Sequence, residues 1–273
     1  MNHIGTTLLG MINTTSYHTT NHQIAMWVLS NLERIDHLTE PEMARTCNVS
    51  KSSINRFCKE LGYDTFRQFQ LDALRFQRQY ATKYYLPASE ISNPDGTLLE
   101  NYAASVARNA LKLAEHVDDA VLAQIAADLD EYEHVIVMGG QQSGDIACMF
   151  QHNLFGTGRV ITAYTYAKEQ REILSRLDSD TLLIVFSLFG NIFHRVMDNI
   201  GPFERPEHCK ICWITSQPTL PPTIPIDAII DCGLGRDLSA GNLAMELAAN
   251  TIVLHYWRLH HPDGVDGSLP FAR

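Results

Sequence analysis

Between positions 45 and 59 the chain carries four basic residues, Arg45, Lys51, Arg56 and Lys59, and no acidic one. Such side chains can neutralise phosphates, and Arg and Asn can grip guanine and adenine edges through two hydrogen bonds at once. Ser52, Asn55, Arg56 and Lys59 recur at helical spacing and share one face. Ile54, Phe57, Cys58 and Leu61 follow i, i+3, i+4, i+7 and share another, so one face packs and the other can bind. Ser50 is placed as an N-cap, which puts Lys51, Ser52 and Ser53 in the first turn, within reach of phosphate oxygens or base edges. In a chain of net charge -10 this window stands out. An ordinary helical hairpin with a solvated polar face has the same pattern, and that alternative stays open on these residues alone.

A second constellation suits anion binding. The apolar run VIVM, 135 to 138, leads into GGQQSGD, where Gly139 and Gly140 allow a tight turn and Ser143 and Gly144 open a helix. The run TLLIVF, 181 to 186, leads into SLFGN, which places Ser187, Gly190 and Asn191 in an equivalent position. Loops of this kind sit at the C-terminal ends of parallel strands, where helix N-termini offer unpaired amides. Neither loop is Gly-x-Gly-x-x-Gly and no Walker lysine follows, so nucleotide binding is disfavoured. Cys209-x-x-Cys212 lies in a strand-like stretch, where residues three apart point to opposite faces, and reads as two core thiols instead of a metal site. No His-Glu-x-x-His pattern occurs among the twelve histidines. Glu169, His194 and His208 are candidates for a general base by location, but none sits in a motif that specifies such chemistry.

Holding the basic face rigid requires a small helical domain. Met43, Ala44, Cys47 and Val49 give a short helix ahead of a turn at Asn48, a residue type that tolerates positive φ. Ile24, Val28, Leu32 and Ile35 form a supporting helical segment, and Phe66, Phe69, Leu74 and Phe76 suit another over about 65 to 80. Pro87, Pro94 and Gly96 mark a linker. Two helical stretches then run from Leu98 to Leu129, followed by strand-like runs at 135 to 138, 159 to 164, 181 to 186, 211 to 215 and 228 to 230, separated by helix-length segments. Apolar β-branched runs in that arrangement argue for a parallel sheet covered on both faces. The expected organisation is a helix-turn-helix domain over 1–83, a linker over 84–97 and a doubly wound α/β domain over 98–273. The first twenty or so residues carry no clear pattern, and His260 and His261 read as part of a C-terminal tail.

Charge divides the same way, with 9 Lys and Arg against 7 Asp and Glu in residues 1–83, and 12 against 24 in the remainder. Phosphate attraction is local and screened, so an acidic chain with concentrated positive charge can still bind DNA. No sustained apolar stretch suits a membrane span, and the six cysteines look like buried thiols without disulfides, which together predict a cytoplasmic protein. The last long helix, about Ala240 to Leu259, is apolar on two sides, with Leu243, Leu247 and Leu254 on one and Met245, Ile252, Tyr256 and Leu259 on another. A dimer interface there, or through the helices at 98 to 129, accounts for this; deeper burial within one chain accounts for it equally well.

The run VSKSSINRFCKELGYDTFRQFQ resembles the signature of the RpiR family of bacterial transcription regulators, matching at Val49, Ser50, Arg56, Phe57, Lys59, Leu61, Gly62, Tyr63 and Phe66. The resemblance covers most of the chain and implies a helix-turn-helix domain followed by a sugar isomerase (SIS) domain. It implies DNA binding through Arg45, Ser50, Lys51, Ser52, Ser53, Asn55, Arg56 and Lys59. It also implies an effector, a phosphorylated sugar, held at Gly139, Gln141, Gln142, Ser143, Ser187, Gly190 and Asn191. Three departures weaken the second implication: Gln141 replaces a glycine of the family's first loop, and Phe189 and Asn191 replace a serine and a threonine of its second. Phe189 brings no hydroxyl and more volume, which lowers the expected phosphate affinity. The functional expectation is a non-enzymatic regulator, a homodimer or homotetramer on a double-stranded DNA operator, with no cofactor, metal or membrane partner. A sugar-phosphate isomerase with an added helical domain and a ligand-blind DNA-binding dimer are the alternatives.

Overall fold

The structure is a computed structural model that describes residues 4–83, 95–140, 142–188, 190, 192–197, 203–217, 224–233 and 238–262. The chain divides into two compact units, Met1–Tyr85 and Leu86–Arg273. Of the expected linker, residues 84–94 lie outside the described residues.

In the first unit, α1 (Ile4–Thr14) and α2 (Thr20–Ser30) are followed by a 3-10 turn at Leu32–His37, then α3 (Glu40–Thr46), α4 (Lys51–Glu60) and α5 (Phe66–Lys83). The helix α1 was not expected from the sequence; its Ile4 and Leu8 are buried in the core of this unit. Phe69 lies at the centre, with the rings of Phe57 and Tyr63 edge-on at 6.0 and 5.8 Å and Phe66 stacked at 5.9 Å. Burying each such aromatic or aliphatic side chain contributes roughly 1.5–3 kcal/mol. Gln70, also buried, donates to the carbonyls of Ile35 and Leu38, both at 2.7 Å, and so ties α5 to the end of the 3-10 turn.

Two helix ends fix the hairpin. At the close of α3, Asn48 adopts φ 53°, its N–H donates to Arg45 O, and Val49 N–H donates to Ala44 O at 2.9 Å. That pair of bonds is a Schellman termination, with a residue in the left-handed region just past the helix. The end of α4 repeats it: Gly62 has φ 87°, and Gly62 and Tyr63 donate to Lys59 O and Cys58 O, each at 2.9 Å. The turn before the basic helix and the stop after it are therefore both encoded locally.

The second unit opens with α6 (Leu98–His116) and α7 (Asp119–Glu131), then β1 (His134–Gly139), α8 (Gln142–Gly156), β2 (Thr162–Tyr164), α9 (Ala167–Leu174), β3 (Thr181–Ser187), α10 (Ile192–Met197), β4 (Lys210–Thr215), β5 (Ala228–Asp231) and α11 (Leu238–His260). The five strands are all parallel in the order β2-β1-β3-β4-β5. Alternate side chains of β3 explain why its sequence reads as one apolar run. Leu182, Ile184 and Phe186 enter a core with α7, α8 and α11, while Leu183 and Val185 enter the opposite one with Leu174 of α9 and Phe193 of α10. The expected doubly wound arrangement is the one observed.

Three expectations need correction. His260 is not in a tail: it lies in the last turn of α11, where its Nε2 sits 2.8 Å from Asp130 Oδ2. Cys148 is exposed, because Ile146, Ala147, Phe150 and Leu154 form the inward face of α8 and position 148 falls outside it. On α11, Met245, Ile252 and Tyr256 are buried, but Leu259, expected on the same side, is 53% exposed and does not share their environment.

Candidate functional site

The start of α3 is set by Thr39, whose N–H and hydroxyl donate to Glu42 Oε2 at 2.7 and 2.6 Å. These bonds hold the Glu42 carboxyl below its ordinary value, the side-chain bond from Thr39 being the largest cause. The start of α4 is set by Ser50, whose Oγ accepts Ser53 N–H at 3.1 Å and lies 2.8 Å from the hydroxyls of both Ser52 and Ser53. Helix α4 then turns Ile54, Phe57 and Cys58 into the core. Burial pushes the Cys58 thiol up to about 12 and that of Cys47 to about 11, which marks both as packing groups.

The opposite face is open. Arg45, Ser50, Lys51, Ser52, Asn55, Arg56 and Lys59 are exposed and Ser53 is half-buried, so every residue expected to meet DNA is at or near the surface. Among the described residues, the side chains of Asn55, Arg56 and Lys59 make no hydrogen bond or ion pair within the protein. Lys51 differs: its Nζ lies 3.8 Å from Glu40 Oε2. Sequence reading did not assign Glu40 a part in this face.

In the second unit, strand order reverses between β1 and β3, the crevice position where open α/β sheets hold ligands. Both expected loops leave from it, and Gly139 and Phe186 are register partners. The first loop is tight: a Cβ on Gly139 would lie 2.1 Å from Ser143 O, so strand end and helix start meet at a distance only glycine permits. Ser143 Oγ accepts Leu188 N–H at 2.9 Å, which binds the first loop to the second. Ser187 Oγ accepts Ile192 N–H at 3.3 Å, and Ser187 O accepts the Thr215 hydroxyl at 2.6 Å. Gly190 has φ 65°, and a Cβ there would lie 2.1 Å from Gln217 O.

Thus Gly139, Ser143, Ser187 and Gly190 are brought together, with Gln142 half-buried at the start of α8. Gln141, Phe189 and Asn191 lie outside the described residues. Ser143 and Ser187 are each 4% exposed and each already accepts a backbone N–H, which leaves each hydroxyl hydrogen without a partner among the described residues. Two residues not singled out from sequence brace these loop ends. Thr215 is one; Gln170 is the other, fully buried on α9, with Nε2 donating to Gly139 O and Tyr164 O, both at 2.8 Å. The signal for Gln170 was a polar residue in the inward stripe it shares with Ile173 and Leu174.

Other candidates separate in space. Cys209 packs with Ile211 and Trp213 on one sheet face and Cys212 with Ile184 and Ile214 on the other. Among the described residues no group of three or more His, Cys, Asp or Glu is placed to hold a metal. His208 precedes β4, at the end of the sheet opposite the two loops, and Glu169 is exposed in the first turn of α9. No described helix is long and apolar enough to cross a membrane.

Residues 8–80 match the helix-turn-helix domain of the rpiR family. An uncharacterised HTH-type transcriptional regulator of Providencia stuartii, from the aarA 3′ region, is 20% identical over 172 residues, 63% of this chain and 61% of that protein. The NanR protein of Vibrio vulnificus, solved in complex with ManNAc-6P, is similar in fold with a TM-score of 0.50 and 15% identity, over 95% of this chain and 93% of that one.

Proposed function

We propose that this chain, whose residues 8–80 form a helix-turn-helix domain of the rpiR family, is a transcription regulator that binds an operator through α4 and senses a phosphorylated sugar through its α/β unit. The observation that carries this reading is the division of α4: Ile54 and Phe57 are fully buried while Asn55 and Arg56, between them, are exposed and unengaged. Arg and Asn presented on a rigid helix are the side chains suited to base edges, with Arg45 and Lys59 available for phosphates and Lys51 shared with Glu40. Base contacts give sequence preference, and phosphate contacts give the salt-dependent remainder.

The sensing half rests on the paired loops at the switch of strand order, on the two buried hydroxyls that keep their donor hydrogens, and on likeness in fold to NanR, which is solved with ManNAc-6P. Self-association as a dimer or tetramer is supported by Leu247 and Leu254, exposed one above the other on α11, and by Leu99 and Leu111 on α6. Such a regulator works in the cytoplasm on chromosomal DNA. An effector changes its operator affinity only by binding one dimer arrangement better than another. Of the general-base candidates, His208 lies at the end of the sheet away from the loops and Glu169 is exposed on α9, while the side chain of His194 lies outside the described residues.

Selecting genomic fragments bound by the purified protein tests the DNA half, with a small set of related sites expected and random recovery contradicting it. A thermal-shift panel of sugar phosphates tests the sensing half. At a ligand concentration of about 100 times Kd, stabilisation near 2.7 kcal/mol is expected. A flat panel favours a ligand-blind dimer, and isomer turnover that persists through purification favours an enzyme.

A further inference from the structure

Lys51, the first residue of α4, is 65% exposed at its side chain and lies 3.8 Å from Glu40 Oε2, while the Glu40 side chain is 18% exposed. The other carboxylate oxygen, Glu40 Oε1, is buried and has no hydrogen-bond partner. A partly desolvated carboxylate without a full set of hydrogen bonds is costly unless a charge compensates it, and here the ammonium of Lys51 does so. The charge of Glu40 also reaches Cys58, where it adds to burial in raising the thiol. Glu40 is held at the start of α3, where the helix dipole favours an anion, and Glu42 beside it is bonded to Thr39.

We propose that Glu40 restrains sequence-independent DNA binding by holding the Lys51 ammonium away from phosphate. The idea rests on the DNA-binding reading above. Ammonium and guanidinium groups on phosphates supply nearly all non-specific affinity, so one surface cation paired with Glu40 weakens that component, while Asn55 and Arg56 stay free to read bases. Glu40 therefore acts on affinity through Lys51 and touches no base.

The test is a double-mutant cycle on the full chain, with binding to a labelled random-sequence duplex of roughly 30 base pairs, about three helical turns, read by fluorescence anisotropy. Salt is held near 50 mM, where phosphate contacts are strongest. Glu40→Gln is isosteric, and its melting curve checks the fold. It is expected to tighten binding about two- to fivefold, the span that an ion pair of this exposure supports. Lys51→Ala is expected to weaken binding, and Glu40→Gln is expected to give no gain in that background. Unchanged or weaker binding by a folded Glu40→Gln variant overturns the proposal, and so does a gain that persists without Lys51. If the wild-type protein binds no duplex, the DNA-binding reading falls and this proposal with it. Binding by the wild type that Glu40→Gln leaves no tighter removes the proposal alone.

Discussion

Ser143 Oγ accepts the backbone N–H of Leu188 at 2.9 Å, so the loop after β1 and the loop after β3 are joined by one buried hydrogen bond. The residue expected to hold an anion thus also keeps the second loop in place. Its two tasks are compatible, because the lone pair serves Leu188 and the hydroxyl hydrogen is left over.

Ser143→Ala is therefore expected to lower stability by about 1–3 kcal/mol, the cost of leaving a buried N–H unsatisfied. Urea unfolding of the isolated variant measures this. No change in the midpoint would mean that the tie between the loops carries no load. The same variant should also reduce any stabilisation by a sugar phosphate.

Gly190→Ala tests the second loop. At φ 65° an L-residue is strained, and the added Cβ would stand 2.1 Å from Gln217 O, a backbone atom that cannot swing away. A loss of more than about 1 kcal/mol is expected by thermal denaturation. Wild-type stability would show that this loop adopts a different path.

The Thr39–Glu42 pair at the start of α3 and the Thr97–Glu100 pair at the start of α6 predict an acid-sensitive contribution. The Glu42 carboxyl is held below its ordinary value of 4.5 by bonds from Thr39, and that of Glu100 by bonds from Thr97, the backbone N–H first. A folded value below the unfolded one means stability that is present above pH 4.5 and is lost as pH falls through the folded value. Melting temperature between pH 6 and about 3 should fall less steeply in a Glu42→Gln, Glu100→Gln variant than in the wild type. Parallel curves for the two proteins would contradict the linkage.

Association through the exposed apolar rows is tested by Leu254→Glu. With Leu254 64% exposed, the charge costs the folded chain little. Sedimentation velocity should show a shift from dimer or tetramer toward monomer. An unchanged oligomer would place the interface elsewhere.

Much of this architecture was legible because burial on both sides leaves a plain mark. Runs such as TLLIVF and ICWIT have no polar alternation, and both became inner strands with Leu182 and Leu183, or Cys212 and Trp213, divided between two cores. The basic helix was legible for the opposite reason, since α4 has one buried stripe and one polar stripe with little overlap. Helix α1 was not, because Ile4 and Leu8 are separated by Gly and Thr residues that carry no helical signal. The loop residues Gly139, Ser143, Ser187 and Gly190 could be named from strand ends, but their partners could not. The bond from Ser143 to Leu188 spans 45 positions, and those from Gln170 reach back to Gly139. Glu40 was passed over for a related reason. Its proximity to Lys51 comes from the left-handed turn at Asn48, and spacing along the chain does not give it.

Arg56→Ala probes most directly whether the exposed face of α4 reads duplex DNA. Anisotropy titrations would compare wild type and variant on a genomic fragment selected by the wild-type protein, with circular dichroism melts confirming that both are folded. The account predicts a loss of about 1–3 kcal/mol on that fragment, roughly 5- to 150-fold in Kd, with a much smaller loss on random duplex. Equal binding of the selected fragment by both folded proteins would contradict it.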